Sequence, residues 1–267
     1  MSIEISGLHK GFGARQILRG LDLEVKDGET MSLVGFSGAG KSLTLKHIVG
    51  LMIPDRGTVR VDGLDVPSLP RAELFKLRLD MGYVFQFAAL FDSMTIGENV
   101  AMGLRKKGGM TEKQIRDRVE ESLALVDLEG LSHRLPSQLS GGQQKRAGLA
   151  RAIAYRPKYL LYDEPTSGLD PVTTTVIDRL VLRMKKELGV TSLVITHDMK
   201  SAYAISDRIA MLYEGKLVEE GTPQEFQNSR NPLIRAFVEG EPGLKHDAED
   251  ASPMGGEGGT AGKGGKR

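Results

Sequence analysis

A glycine-rich octapeptide restricts the possible folds of this chain more than any other stretch. The octapeptide reads Gly35-Phe36-Ser37-Gly38-Ala39-Gly40-Lys41-Ser42. It fits the pattern G-x-x-x-x-G-K-[S/T], whose glycines let the backbone curl so that successive N–H groups face a hollow suited to an anion. In this pattern the lysine reaches the β- and γ-phosphates of a nucleotide, and the hydroxyl ligates Mg²⁺. We therefore predict a nucleotide phosphate site at this loop.

The residues on either side of the octapeptide support this prediction. The pattern of residues 29–34 predicts a buried strand. Residues 41–49 predict a helix, because Leu45 and Ile48 recur at helical spacing and Gly50 follows as a stop signal. The N-terminus of such a helix adds a partial positive charge where the phosphates would lie.

The size and composition of the chain exclude several classes of protein. Its 267 residues fit one large domain or two lobes with a shared core. A net charge of +1 gives no broad positive field, so we expect no nucleic-acid partner. The absence of cysteine excludes disulfides and cysteine metal sites. There is no apolar run of membrane-spanning length and no signal-peptide pattern at the start, so we expect the protein to stay in the compartment where it is made.

The first part of the chain predicts antiparallel sheet beside the strand that precedes the loop. Residues 3–8 and 17–25 have strand patterns, and residues 10–13 read as the turn between them. Asp27-Gly28 is a hairpin signal, and residues 57–63 predict a short strand that ends in a second Asp-Gly turn.

The rest of the chain predicts an α/β core that is interrupted by helices. Residues 87–155 have helical patterns and read as an inserted helical lobe. Strand and helix patterns then alternate, for example at residues 159–162 and 171–188, which favours a largely parallel sheet. We predict one domain over residues 1–240, followed by a glycine-rich, disordered tail over residues 241–267.

Two acidic residues follow the buried strand at residues 159–162. Strands of open α/β sheets deliver such side chains to the carboxyl edge, where ligands bind. We predict that Asp163 holds the water shell of Mg²⁺ and that Glu164 polarises the attacking water as a general base. A strand that ends in a solvated acidic turn is the alternative, and Lys41 upstream makes this alternative the weaker one.

A second glycine-rich segment opens a helix at residues 139–143. The free N–H groups at the start of this helix and the Ser140 hydroxyl would form another anion site. An ordinary helix N-cap is the alternative. Two helix N-termini suited to phosphate in one chain require an explanation.

The motifs together supply that explanation, because their order and spacing resemble those of the ATPase subunits of ABC transporters. The residues that carry the resemblance are Gly35–Ser42, Gln86, Leu139–Gln143, Tyr159–Glu164, Ser167–Asp170 and His197. The resemblance covers about residues 3–240, and Leu139–Gln143 is its most specific motif because other phosphate-loop families lack it. It implies ATP hydrolysis with Mg²⁺ on a P-loop NTPase fold that has a RecA-like core, an N-terminal antiparallel β-subdomain and an inserted helical lobe.

The resemblance also implies roles for individual residues. Phe12 lies where the family stacks an aromatic ring on adenine, and Gln86 is similar to the residue that senses Mg²⁺ and the attacking water. His197 resembles the switch histidine that contacts the γ-phosphate and positions Glu164. Asp170 resembles the residue that crosses the dimer interface.

Two residues of the nucleotide-binding segment 35–43 depart from the family pattern. Leu43 replaces the usual threonine, so a hydroxyl contact to the α-phosphate is lost while the backbone N–H remains. We expect altered nucleotide affinity and retained hydrolysis. Phe36 replaces a frequent proline, and the sequence assigns no consequence to this change.

The family arrangement implies that ATP is shared between two copies of the chain. One copy provides the phosphate loop, and the other provides Ser140, Gly141, Gly142 and Gln143. The resemblance therefore implies a homodimer that works with two permease subunits, bound peripherally to the cytoplasmic face of the inner membrane. Residues 87–100 would dock on the permease, although packing between the two lobes is an equal alternative for this apolar segment.

The cargo is suggested by residues 87–100 and 161–171, which are most similar to ATPases of the Mla type. This similarity implies phospholipid movement between the inner and outer membranes, with an MCE-domain lipid-binding partner and a small regulatory subunit. A nutrient importer, for example for amino acids, is the alternative with the same chemistry. A soluble ABC ATPase acting on nucleic acid or ribosomes is an alternative of another class, and a regulatory module without turnover is a further one.

Overall fold

Two β-sheets and the helices around them form the structure, a computed structural model that describes residues 2–240. The strands are Ile3–Phe12 (β1), Arg15–Val25 (β2), Thr30–Val34 (β3), Arg56–Val61 (β4), Leu64–Asp65 (β5), Met81–Val84 (β6), Tyr159–Asp163 (β7), Thr191–Ile195 (β8), Arg208–Tyr213 (β9) and Lys216–Gly221 (β10). The helices are Lys41–Ile48 (α1), Arg71–Leu79 (α2), Ile96–Lys107 (α3), Glu112–Ala124 (α4), Gly141–Ile153 (α5), Pro171–Leu188 (α6), Met199–Ile205 (α7), Pro223–Gln227 (α8) and Pro232–Glu239 (α9). The tail predicted over residues 241–267 lies outside the described residues.

The smaller sheet is antiparallel, as predicted, with the strand order β2-β1-β4-β5. The turn predicted at residues 10–13 lies further along the chain, at Gly13 and Ala14. The ladder between β1 and β2 continues through Lys10, which pairs with Leu18, to Phe12, which pairs with Arg15. Shifts in the register of this ladder let the strands twist while the pairing continues to the tip of the hairpin.

The hairpin predicted at Asp27-Gly28 is also wrong. The strands on either side of this turn, β2 and β3, belong to different sheets. The Gly28 N–H donates a 2.9 Å hydrogen bond to Thr191 Oγ1 at the start of β8. The turn therefore carries the chain from the antiparallel sheet into the larger sheet.

The larger sheet has the strand order β10-β9-β3-β8-β7-β6. Its neighbours are parallel except for the β9–β10 hairpin, which confirms the predicted, largely parallel sheet. All five residues of β3 are buried, because helices and the smaller sheet cover both faces of this central strand. The carboxyl ends of β3, β7 and β8 consequently meet at one edge of the sheet.

Helices α3, α4 and α5 lie between β6 and β7 in the sequence and pack on one another. Apolar residues on one face of α4, including Ile115, Val119 and Leu123, are buried in the core that these helices form. Thr111 and Gln114 form a capping box at the start of α4. Within residues 2–240, no helix is both long enough and apolar enough to cross a membrane.

Candidate nucleotide-binding and hydrolysis site

The phosphate loop connects β3 to α1 and holds the Lys41 ammonium group at its centre. Lys41 Nζ donates hydrogen bonds to the carbonyl oxygens of Gly35 (2.7 Å) and Phe36 (3.1 Å). Burial of this side chain lowers the pKa of Lys41, and the nearby carboxylates of Glu164 and Asp163 act in the opposite direction. The loop thus fixes a partly desolvated positive charge at the carboxyl edge of the sheet.

Glycine is required at two positions of this loop because of close contacts. Gly35 has a φ of 148°, and a Cβ atom there would lie 2.2 Å from the Leu212 carbonyl oxygen. Gly40 has a φ of 107°, and a Cβ atom there would lie 2.7 Å from Leu18 Cδ2. Within residues 2–240, no side chain caps the start of α1, so the N–H groups of its first turn are free to receive an anion.

Ser42, Asp163 and Tyr83 form a hydrogen-bonded group beside the loop. Ser42 Oγ donates to Asp163 Oδ1 (2.7 Å), and the Tyr83 hydroxyl donates to Asp163 Oδ2 (3.0 Å). Burial, together with the charge of Asp163, raises the pKa of Tyr83. Hydroxyl and carboxylate oxygens suit Mg²⁺, which takes one or two such ligands and completes its shell with water and substrate phosphates.

Sequence reasoning missed Tyr83. The signal that could have found it is the register of the parallel sheet. Tyr83 pairs with Leu161 of β7, so Asp163 lies two residues further along the neighbouring strand and on the same face. The pairing of β6 with β7 would have to be known first.

The Glu164 carboxylate lies between a lysine and a histidine. Glu164 Oε1 is 3.9 Å from Lys41 Nζ, and Glu164 Oε2 is hydrogen-bonded to His197 Nδ1 at 2.5 Å. The side chain of Glu164 is only 14% exposed, whereas that of His197 is 61% exposed. The Glu164 N–H donates to the Ile195 carbonyl oxygen at the end of β8, and Glu164 has a positive φ of 52° just after β7.

Gln86, Ser167 and Lys145 form a second connection across the site. Gln86 Nε2 donates to Ser167 Oγ (3.3 Å), and Lys145 Nζ donates to the Ser167 carbonyl oxygen. Burial lowers the pKa of Lys145, which lies on α5 and was not predicted from the sequence. Gln86 is thereby held over the carboxyl edge of the sheet by the segment that follows β7.

Most of the predicted ATP-binding and catalytic residues surround one open cavity of about 880 Å³. Those that line the cavity are Phe12, Gly35, Phe36, Ser37, Gly38, Gly40, Lys41, Ser42, Leu43, Gln86, Glu164 and His197. Phe12 leaves 52% of its surface exposed at one end, where a base could stack on the ring. Ala39 is buried behind the loop. Asp163 lies behind Ser42, which it contacts directly.

The predicted second anion site is not part of this cavity. Among the described residues that line the cavity, none belongs to the segment 140–143 or to Asp170. Ser140 and Gln143 form a reciprocal capping box at the start of α5. The Asp170 carboxylate caps α6 by accepting from the N–H groups of Val172 (2.9 Å) and Thr173 (3.0 Å). One chain therefore brings together only part of the predicted site.

The segment after Gln86 exposes an aromatic side chain. Phe87 is 80% exposed, whereas Leu90 packs partly against the core of the helices α3 to α5. Arg151 of α5 holds the backbone between them by donating to the carbonyl oxygens of Ala89 (2.6 Å) and Ala88 (3.0 Å). The segment is fixed from the inside and presents Phe87 outward.

The sequence profile of the ABC transporter family matches residues 18–167. The chain therefore belongs to this family, and it is an ATP-binding ATPase subunit of a membrane transporter. ATPase subunits of this family work as dimers together with transmembrane permease partners.

Three curated relatives align with most of this chain. The "probable ribonucleotide transport ATP-binding protein mkl" of Mycobacterium tuberculosis is 40% identical over 240 residues, which are 90% of this chain and 67% of the relative. The chloroplastic "protein TRIGALACTOSYLDIACYLGLYCEROL 3" of Arabidopsis thaliana is 41% identical over 255 residues, covering 89% of this chain and 73% of the relative. The "methionine import ATP-binding protein MetN" of Carboxydothermus hydrogenoformans is 45% identical over 219 residues, covering 82% and 65%.

A solved structure supports the fold directly. The dimeric structure of a post-hydrolysis state of the ATP-binding cassette MJ0796, bound to ADP and Pi, superposes on this chain with a TM-score of 0.76 at 36% identity. The match covers 83% of this chain and 98% of that protein. The predicted P-loop NTPase fold is therefore confirmed.

Proposed function

We propose that Glu164 is the general base for ATP hydrolysis and that His197 orients it. The observation that carries this proposal is the position of the Glu164 carboxylate, between the Lys41 ammonium and the His197 imidazole. Lys41 would pair with the β- and γ-phosphates, and Glu164 would accept a proton from the water that attacks the γ-phosphate. Gln86, held by Ser167, would contact the same water.

Mg²⁺ would be held at the hydroxyl of Ser42 and the carboxylate of Asp163. These two oxygens already share one hydrogen bond, and Tyr83 fixes the second carboxylate oxygen of Asp163. The ion would neutralise part of the phosphate charge, while Gln86, which follows β6 at the same carboxyl edge of the sheet, would contact its water shell. Tyr83 adds a positioning contact to the ligand set that was expected from the sequence.

A complete site would need a second copy of the chain. The start of α5 has an exposed Ser140 with two following glycines, and residues 140–143 are not among the described residues that line the cavity of their own chain. In a homodimer this helix end would close over the γ-phosphate bound to the other copy, and Asp170 would lie at the interface. Hydrolysis would then depend on dimer closure driven by ATP.

The partner at the membrane would be a pair of permease subunits. Phe87 supports this assignment because it is a large apolar side chain, largely exposed, on a segment that Arg151 holds in place. The ATPase would bind peripherally to the cytoplasmic face of the inner membrane through this contact. A partner helix that covers Phe87 would be moved when the two copies close.

For the cargo we propose phospholipid, carried between the inner and outer membranes. The similarity of residues 87–100 and 161–171 to Mla-type ATPases supports this class, as does a relative named for trigalactosyldiacylglycerol. The partners would then include an MCE-domain lipid-binding protein and a small regulatory subunit. An importer of amino acids is the second candidate, favoured by the methionine import relative at 45% identity.

A transport assay with the purified ATPase–permease complex would separate these candidates. Reconstituted vesicles are supplied with ATP and with either a labelled phospholipid in the bilayer or labelled methionine in solution. We expect ATP-dependent loss of the phospholipid to acceptor vesicles, and none from the Glu164→Gln complex. Methionine accumulation with no lipid transfer would assign the importer function instead. A gene for an MCE-domain protein beside the permease gene would independently support phospholipid as the cargo.

A further inference from the structure

The C-terminal helix contacts the phosphate loop through aromatic rings. The ring of Phe36 meets the ring of Phe237 of α9 edge to face, with centroids 4.9 Å apart and planes at 80°. It also meets Tyr213, at the end of β9, with centroids 5.9 Å apart and planes at 73°. Both arrangements fall in the range that aromatic pairs favour. Residue 36 is the position where the sequence departs from the frequent proline.

The backbone of Phe36 holds the lysine of the site. The Phe36 carbonyl oxygen accepts from Lys41 Nζ (3.1 Å) and from the Ala39 N–H (3.3 Å). The side chain of Phe36 is therefore held by α9 while its carbonyl group holds Lys41. A change in the position of the ring would move the carbonyl oxygen on which the ammonium group rests.

Helix α9 is anchored firmly enough to act as a support. Asn231 caps its start by accepting from the Leu233 N–H (3.0 Å), and Pro232 occupies its first turn. Ile234 is buried in a small core with Val34 at the end of β3, together with residues of β9 and α8. Phe237 lies beside this core and also lines the nucleotide cavity. The exposed face of the same helix carries Val238, which is 42% exposed.

We propose that Phe237 is a positioning residue for nucleotide binding, acting through Phe36 on Lys41. The C-terminal helix thereby sets the geometry of the phosphate loop, in place of the rigidity that a proline at position 36 would give. Phe237 meets the ring of Phe36 in the phosphate loop, so its effect falls on nucleotide affinity more than on the chemical step. This inference does not depend on the transported cargo or on the identity of the general base.

Phe237→Ala in the full-length chain tests the proposal. We expect the KM for ATP, measured kinetically, and the Kd for ADP, measured by calorimetry, to rise about 3- to 10-fold. This change corresponds to the free energy that one aromatic pair contributes. The kcat should stay within about twofold of the unchanged protein. Phe237→Tyr keeps the ring, so its KM for ATP and its Kd for ADP should match those of the unchanged protein. Val238→Ala on the exposed face of α9 is the matched control and should change neither.

A double-substitution cycle with Phe36→Ala distinguishes an effect of Phe237 that acts through Phe36 from a general loss of folding. If Phe237 acts through Phe36, adding Phe237→Ala to Phe36→Ala should raise the Kd for ADP no further. Effects that multiply in the double variant would overturn the proposal. So would a Phe237→Ala protein with a lower melting temperature and unchanged nucleotide affinity. If Phe237→Ala does not fold, Phe237→Leu gives the same comparison with the apolar volume largely kept.

Discussion

Replacing Glu164 by glutamine should nearly abolish ATP hydrolysis while preserving ATP binding. Glutamine has the same size as glutamate and keeps one oxygen for His197, but its amide cannot accept a proton from water. Loss of a general base costs about 10²–10⁴ in rate, which corresponds to about 3–5 kcal/mol of activation free energy. Lys41 should keep its position, because its hydrogen bonds go to the loop carbonyl groups and Glu164 is 3.9 Å away.

The rate of phosphate release at saturating ATP measures turnover, and calorimetric titration with ATP at low temperature measures ATP binding. Glu214→Gln is the matched control, because Glu214 also has a positive φ (46° against 52° for Glu164) and also follows a strand of the larger sheet. Its side chain is 48% exposed and lies outside the residues that line the cavity. We expect this control to retain turnover within about twofold.

Two results would refute the reasoning on Glu164. Turnover within tenfold of the unchanged protein, with normal binding of ATP, would mean that another group or the phosphate itself takes the proton. If both ATP binding and turnover are lost, the carboxylate of Glu164 supports Lys41 and the loop, and its effect on the rate is indirect. Only lost turnover with retained binding fits the role of a general base.

Three further predictions concern other parts of the chain. Ser140→Arg in one copy of a mixed dimer should disable the site whose phosphate loop belongs to the other copy, and a mixed-dimer assay that finds the loss in the same copy would contradict shared sites. Phe87→Ser should reduce the stimulation of ATPase activity by the permease about tenfold but leave the basal rate unchanged, with the half-exposed Phe75→Ser as control. Asp178 has a buried Oδ1 atom with no hydrogen-bond partner among residues 2–240, and burial raises its pKa to about 6. The charged form therefore destabilises the folded state above pH 6, and the penalty disappears as the pH falls towards the ordinary carboxyl value. Asp178→Asn should raise the melting temperature by about 2–6 °C at pH 8, with a smaller gain at pH 4.5, and an equal gain at both values would contradict this assignment.

The elements around the phosphate loop could be predicted because their signals are local. The run of apolar residues in β3, the glycine pattern of the loop and the helical spacing in α1 all lie within about 20 residues. The hairpin prediction at Asp27-Gly28 is wrong because a local signal had to be combined with distant pairing. Asp27-Gly28 has the residues of a hairpin turn, but the strand that follows pairs with β8 and β9 instead of β2. Nothing in the turn itself determines which strand is the partner.

The same distinction applies to the site. Lys41, Ser42 and Glu164 belong to continuous motifs, so they could be predicted as site residues from the sequence. Tyr83 was missed because its contact with Asp163 requires β6 to be the neighbour of β7. Lys145 was missed because it reaches Ser167 from the inserted helices. The consequence of Phe36 was not derivable, since its partner Phe237 lies about 200 residues further along the chain.

The separation of the two predicted anion sites within one chain limits how ATP binding could move the permease. Lys41 already has hydrogen-bond acceptors in its own loop, so we expect this half of the site to be preformed in one chain and to bind nucleotide alone. At the start of α5, Ser140 and Gln143 bond to each other, so within residues 2–240 the N–H groups of Gly141 and Gly142 are left for an external acceptor. We infer that the γ-phosphate is this acceptor and that it belongs to ATP on a second copy. The closed dimer would then be favoured only by the difference in affinity for ATP between the closed and open forms, and hydrolysis would remove the group that accounts for this difference.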